Sequence, residues 1–247
     1  MTAINSPHDE SLELTRTFTL VIPILLVVVP FAALLIGEDY SFYRTRMITE
    51  AGLIEHATVL FSVLGFVFAL LVVANRKSCP RPWMTYFMLL FALGFFYIAG
   101  EEISWGQHLF KWDTPQWIGE ANRQNETNLH NLHLSLDRIP KTIIGVGIVL
   151  SGIVWPLFSH YRGVKIENVE GDWYWLWPNS VVRVTAVCFL IVWLLDRLMV
   201  QTDLLSGEGY SIGFQEHREM IMLYFLLLYT ASIYLRVKAR GETAGSS

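Results

Sequence analysis

Charge is scarce in this sequence. Only 16% of its 247 residues are Asp, Glu, Lys or Arg, against 53% hydrophobic, and mean hydropathy is +0.41. A soluble domain carries about 25% charged residues, so the class read from composition is an integral membrane protein forming one helical bundle. Cysteine is nearly absent. Cys79 and Cys188 are too few and too far apart for a disulfide framework or a cysteine zinc cluster. The net charge of -4 gives no reason to expect a nucleic-acid partner. The chain has no P-loop, no dinucleotide fingerprint and no G-x-S-x-G elbow. It also lacks a polybasic cluster for anionic lipids and any pair of interrupted helices suggesting an inverted transporter repeat. No repeat is evident, and GETAGSS at the end is the one low-complexity piece.

What the sequence does hold is a series of long apolar runs. Stretches free of charge and His are Thr17–Gly37, Ala57–Asn75, Pro82–Gly100, Thr142–Ser159, Val184–Leu195 and Met220–Leu235. A helix needs about 20 residues to cross the hydrocarbon core. The last two runs therefore require polar ends that enter the interface. The expected architecture is all-α, a polytopic bundle of about six transmembrane helices. Its spans are residues 17–37, 55–75, 82–100, 141–160, 180–199 and 217–236, with cytoplasmic tails at 1–16 and 237–247. Pro140 stands where a helix commonly starts. The first run is longer than the h-region of a signal peptide (about 7–15 residues), and it follows Asp9, Glu10 and Glu13. It is read as a retained first helix.

Lys and Arg set the orientation. Ten lie on the side of the two tails and eight on the other, a modest margin that favours both termini in the cytoplasm; the expected location is a cytoplasmic (inner) membrane, bacterial by the resemblance given below. Fifteen of the 22 acidic residues then fall on the outer face, with His56, His108, His130, His133 and His217. Asp and Glu contribute little to insertion orientation, so a functional site at that face would explain the asymmetry.

Three groups of residues carry that site. In GEEISWGQHLF, a helix continuing past Gly100 would align Glu101, Ser104, Trp105 and His108, with Glu102 and Gln107 nearby. In the second group, Glu126, His130, His133 and Asp137 form one stripe of a short amphipathic helix beside Leu129, Leu132 and Leu136. Imidazole and carboxylate at that spacing are the donors zinc, iron or manganese would use. The same pattern also suits an interfacial helix whose polar face meets water and headgroups. The third group comes from other helix ends: Glu50, Glu55 and His56; Asp196 and Arg197; and Glu216, His217 and Glu219. Asp196–Arg218 or Glu219–Arg197 pairing is the structural alternative to a role in the site. Two short amphipathic helices are expected within residues 101–140.

GEEISWGQHLF, the W-x-x-P-x-W that follows and NRQNETNLHN resemble a family of uncharacterised bacterial multi-pass membrane proteins. The resemblance covers roughly residues 99–133 and groups Glu101, Glu102, Ser104, Trp105, Gln107, Gln124, Glu126, Asn128, His130 and Asn131 as one site. Ser104 and His108 are also similar to the Ser-x-x-x-His element of the alkaline ceramidase-like membrane hydrolases. That likeness implies zinc held by histidines, although the late His-x-x-x-His of those enzymes is missing and only His217 stands in its place.

The expected function is a metal-dependent hydrolase or transferase acting on a membrane lipid or lipid-linked substrate. Glu126, His130, His133 and His217 would bind a divalent ion such as zinc, and Glu101, Glu102 and Ser104 would be catalytic. Trp105, Gln107, Gln124, Asn128, Asn131, Asp137, Asp196 and Glu219 would support them. The alternative is a non-enzymatic membrane binding or assembly protein whose Glu/His/Asn network packs helices or binds a partner. A third possibility, proton or cation handling, fits less well because helices one, two and four have no charge in their central runs.

Overall fold

The computed structural model describes residues 14–36, 41–48, 52–116, 127, 134–163, 172–178, 180–202 and 214–245. Every element among them is helical. A π-helical turn, Thr17–Val21, leads into α1 (Ile22–Leu34); α2 is Ser41–Arg46, α3 Leu53–Ala74, α4 Pro82–Glu102 and α5 Gln107–Phe110. Helix α6 (Leu134–Val149) continues through a second π turn, Leu150–Val154, into α7 (Trp155–Tyr161). The short α8 (Asp172–Leu176), then α9 (Arg183–Thr202) and α10 (Phe214–Gly245), complete the chain.

Five stretches are long and apolar enough to cross a membrane: Thr17–Leu34, Leu53–Ala74, Pro82–Glu102, Arg138–Tyr161 and Phe214–Thr243. The protein is a multi-pass all-α membrane bundle. The remaining expected span falls on α9, whose 20 residues include Arg183, Asp196 and Arg197 and which is not among the five.

The helix ends follow local chemistry. α3 starts after an extended Gly52, with Glu55 in its first turn where the helix dipole favours an anion. α4 starts with Pro82 after an extended Arg81, as proline at a first helical position requires. One expectation is corrected here. Pro140 does not start the fourth span; it lies inside α6, which begins at Leu134. Asp137 therefore belongs to the same helix as Lys141.

α10 is the axis of the bundle. Of its apolar window 83% is buried, against 22% or 33% for the other four spans. α3 and α9 pack along it, α4 packs outside α3, and α1 and α6 close the remaining sides. A helix apolar on all sides needs neighbours all round, and Ile221, Leu223, Tyr224, Leu228 and Ile233 are all nearly inaccessible. At 32 residues α10 is about 48 Å long at 1.5 Å per residue. It therefore outruns the hydrocarbon, ending in Lys238, Arg240 and Glu242. Near that end the buried Arg236 guanidinium donates to the Tyr174 and Ser232 carbonyls and stacks over the Tyr174 ring at 5.3 Å. Tyr229 adds a hydrogen bond from its hydroxyl to the Leu176 carbonyl, 2.7 Å. These bonds hold α8 against the axis.

Prolines explain both π turns. Pro23 and Pro156 each follow one by a single residue. A proline ring collides with the carbonyl four residues back, and widening the turn to an i→i+5 register relieves it. Ile22 N–H accordingly bonds the Thr17 carbonyl. Phe18 O is left without a donor, since residue 23 is proline, and the Tyr224 hydroxyl supplies one at 2.7 Å.

Candidate functional site

The end of α4 differs from the expected continuous helix. α4 stops at Glu102, and Ser104, Trp105 and Gly106 follow with φ of 45°, 53° and 82°. Three successive left-handed residues interrupt the right-handed helical path and break the expected shared face of Glu101, Ser104, Trp105 and His108. Left-handed backbone costs an L-residue about 1–2 kcal/mol, so Ser104 and Trp105 need compensation. It comes from the Trp105 indole, which folds back over α4 and donates Nε1–H to Glu101 Oε1 at 2.7 Å. A hydrogen bond contributes about 0.5–1.5 kcal/mol net, which offsets part of the strain. The ring lies directly on Gly100, where an added Cβ would come within 2.6 Å of it, and packs edge-on to Phe96 and Tyr97. Glu101 is 4% exposed and Ser104 3%. The carboxylate expected to be catalytic is thus a buried acceptor that shapes the turn.

Gln107 organises the chain beyond the turn. Its Nε2 donates to Thr114 Oγ1 at 2.8 Å, and its Oε1 accepts the Thr127 N–H at 2.8 Å. Thr127 Oγ1 reaches Thr114 Oγ1 at 3.3 Å. Gln124, Glu126, Asn128, His130, Asn131 and His133 lie outside the described residues, as do the side chains of His108 and Asp137.

Glu102, one residue past Glu101, points into a different environment. It is half-buried and, among the described residues, makes no hydrogen bond or ion pair. The charges acting on it are Glu219 and Glu216 of α10, Lys141 of α6 and Glu55 of α3. Lys141 Nζ is already 2.6 Å from Glu219 Oε1. Glu219 therefore pairs with Lys141 and not with Arg197. The expected Asp196–Arg218 pair is present, Arg218 Nη1 to Asp196 Oδ2, 3.1 Å. At the edge of this acidic group Tyr43 is fully buried, and its hydroxyl has no hydrogen-bond partner among the described residues. Burial and the Glu216 carboxylate both push this phenol above its ordinary range.

His217 is placed elsewhere. It is inaccessible to solvent, packs against Phe31 and Phe214, and its Nε2 is 2.8 Å from the Leu26 carbonyl. Pro30 lacks the N–H that would bond Leu26 O in a regular helix. His217 replaces that donor, which fixes the Nε2–H tautomer and leaves Nδ1 as its free ring nitrogen.

No family model, curated protein or solved structure matches the chain.

Chemistry at this end must therefore be read from the residues alone. Among the described residues, no three His, Cys, Asp or Glu side chains gather as a metal site. What this end does hold is Glu102 within the electrostatic reach of Glu55, Glu216, Glu219 and Lys141, with Lys141 paired to Glu219. Tyr43 and Lys141 are the members sequence reasoning missed. Lys141 stood at the start of the expected fourth span with nothing local to relate it to Glu219 on another helix, and nothing in SFYRTR marks Tyr43 as buried.

Proposed function

We propose that the chain is an integral membrane protein that binds the polar head of a membrane lipid or lipid-linked molecule at the Glu102 end of the bundle. Glu102 carries this reading: a carboxylate at the end of a membrane helix, half-buried and without a hydrogen bond among the described residues, in the field of Glu55, Glu216 and Glu219. Unbonded carboxylates near the hydrocarbon are costly unless something neutralises them. Carboxyl groups set among other carboxylates are relieved by a cationic or hydrogen-bond-donating neighbour and burdened by a further anion. The head that fits is a donor, an ammonium group or sugar hydroxyls, and a bare phosphate does not fit. The Lys and Arg distribution supports placing this end away from the cytoplasm of a bacterial inner membrane.

Mass spectrometry of the purified protein tests this by identifying lipids retained through extraction. Wild type is expected to keep an amine- or sugar-bearing lipid that Glu102→Gln loses while unfolding at the same temperature. Identical lipid profiles in the two proteins would defeat the proposal.

An enzymatic form of the same reading makes Glu102 the proton carrier of a hydrolase or transferase, with a divalent ion such as zinc on Glu126, His130 and His133. The unbonded state of Glu102 favours it, since a general base must be free to reach its proton. Glu101, already bonded to Trp105, and His217, with Nε2 engaged, are removed from first rank. Metal analysis of wild type against a His130→Ala, His133→Ala variant decides: stoichiometric metal lost in the variant supports the enzyme, and a metal-free wild type eliminates its metal-dependent form.

A further inference from the structure

The segment after α4 carries more exposed apolar surface than a water-facing loop should. Ile103 is 48% exposed, Phe110 75% and Trp112 38%. Beyond the turn, Gln107 is bonded to Thr114 and Thr127. Among the described side chains of this segment, Gln107 is bonded within the protein while Ile103, Phe110 and Trp112 are exposed.

We propose that Ile103–Trp112 is a membrane-seated plank that lies in the bilayer interface, its Ile103, Phe110 and Trp112 side chains among lipid chains. The occupant of this face is lipid because the face continues the lipid-facing side of α4. On that helix Leu90, Leu93 and Phe96 all point outward. The Trp105 ring, folded back to 5.9 Å from the Phe96 ring and itself 36% exposed, joins the first residues of the segment to that same surface. Lys111, exposed and left-handed at φ 54°, stands between Phe110 and Trp112. A long cationic stem flanked by aromatic rings suits the headgroup layer, where the stem lies along apolar surface and the ammonium reaches water. Tryptophan is itself enriched at that depth. The inference stands on exposure and continuity and does not depend on what Glu102 binds.

The test uses the full chain in nanodiscs with Cys79→Ser and Cys188→Ala, which leaves both faces of the bilayer accessible. Phe110→Cys and Trp112→Cys each receive an environment-sensitive fluorophore. Leu90→Cys serves as the lipid reference and Glu242→Cys as the water reference. Phe110 projects outward, so its replacement leaves the packing intact, and Trp112 gives a second position. Both probes are expected to emit blue-shifted from the Glu242 probe. Both should be quenched more by a nitroxide near the lipid headgroup than by one at the chain end, and protected from aqueous iodide. Iodide quenching equal to that of the Glu242 probe would overturn the proposal. Protection from iodide and lipid nitroxides alike would also overturn it, since the segment would then be covered by protein.

Discussion

His217 Nε2 lies 2.8 Å from the one carbonyl of α1, Leu26 O, that Pro30 deprives of its helical donor. The side chain of the axial helix completes the backbone of its neighbour. Tyr224, seven residues on, does the same for Phe18 O beside Pro23. The two bonds lie on one face of α10 and fix α1 against it in register. In hydrocarbon such orphan carbonyls have no water to turn to.

This arrangement predicts a coupling. His217→Ala should cost about 1–3 kcal/mol through the unsatisfied carbonyl, in addition to the cavity left by the ring. Pro30→Ala restores the missing N–H, so in that background only the cavity cost should remain. A double-mutant cycle on unfolding in detergent measures the difference. Equal costs of His217→Ala in both backgrounds would mean that Leu26 O does not need this histidine.

The turn at the end of α4 predicts an order of severity. Gly100→Ala places a methyl within 2.6 Å of the Trp105 ring. The ring must lift, and the bond to Glu101 is lost with it. Trp105→Ala removes ring and bond together, leaving Glu101 buried without that donor. Each single change should lower stability by about 1–3 kcal/mol. Adding Gly100→Ala to Trp105→Ala should cost almost nothing more, and a thermal melt showing additive losses would contradict the fold-back.

Much of the bundle is legible in the sequence because apolar length alone selects spans. Thr17–Leu34, Leu53–Ala74 and Pro82–Glu102 begin or end within two or three residues of the charge-free runs that announce them. Asp196–Arg218 is legible too, since both groups sit where short spans meet the interface. The left-handed turn at Ser104–Gly106 is not. Helical spacing extrapolates Glu101 to His108 smoothly, and only Gly106 hints at a break, while the left-handed Ser104 and Trp105 are stabilised by tertiary contacts no local pattern contains. The Lys141–Glu219 pair is not legible either, because it joins two helices distant in sequence and no local pattern relates them. His217 looks like a ligand in the sequence because the carbonyl it serves lies 191 residues away.

Close helix contact gives a third prediction. A Cβ on Gly152, in the second π turn, would lie 2.4 Å from the Ala186 Cβ of α9. Gly152→Ala should therefore force the helices apart at a cost of about 1–3 kcal/mol. Ala186→Gly removes the obstacle. The double variant is expected to recover most of the stability lost by Gly152→Ala in detergent unfolding; no recovery would place the strain elsewhere.

Cys79 supplies a pH-dependent prediction and a check on orientation. It ends the 3-10 turn Arg76–Ser78 between α3 and α4, half-buried, with Thr85 and Arg240 nearby. Burial pushes the thiol above its ordinary value, and the Thr85 hydrogen bond and the Arg240 charge oppose this only in part. The folded state therefore holds the thiol proton to higher pH than the unfolded chain, whose thiols titrate near about 8.5. Stability from this group is complete below that pH and declines as pH rises through and beyond it. The thiolate is the reactive form, so maleimide should label Cys79 more slowly than a free thiol at neutral pH, with a rate that climbs further into the alkaline range. In inverted vesicles, whose cytoplasmic face is outward, a membrane-impermeant maleimide should reach it; labelling only in right-side-out vesicles would reverse the orientation and put the Glu102 end in the cytoplasm.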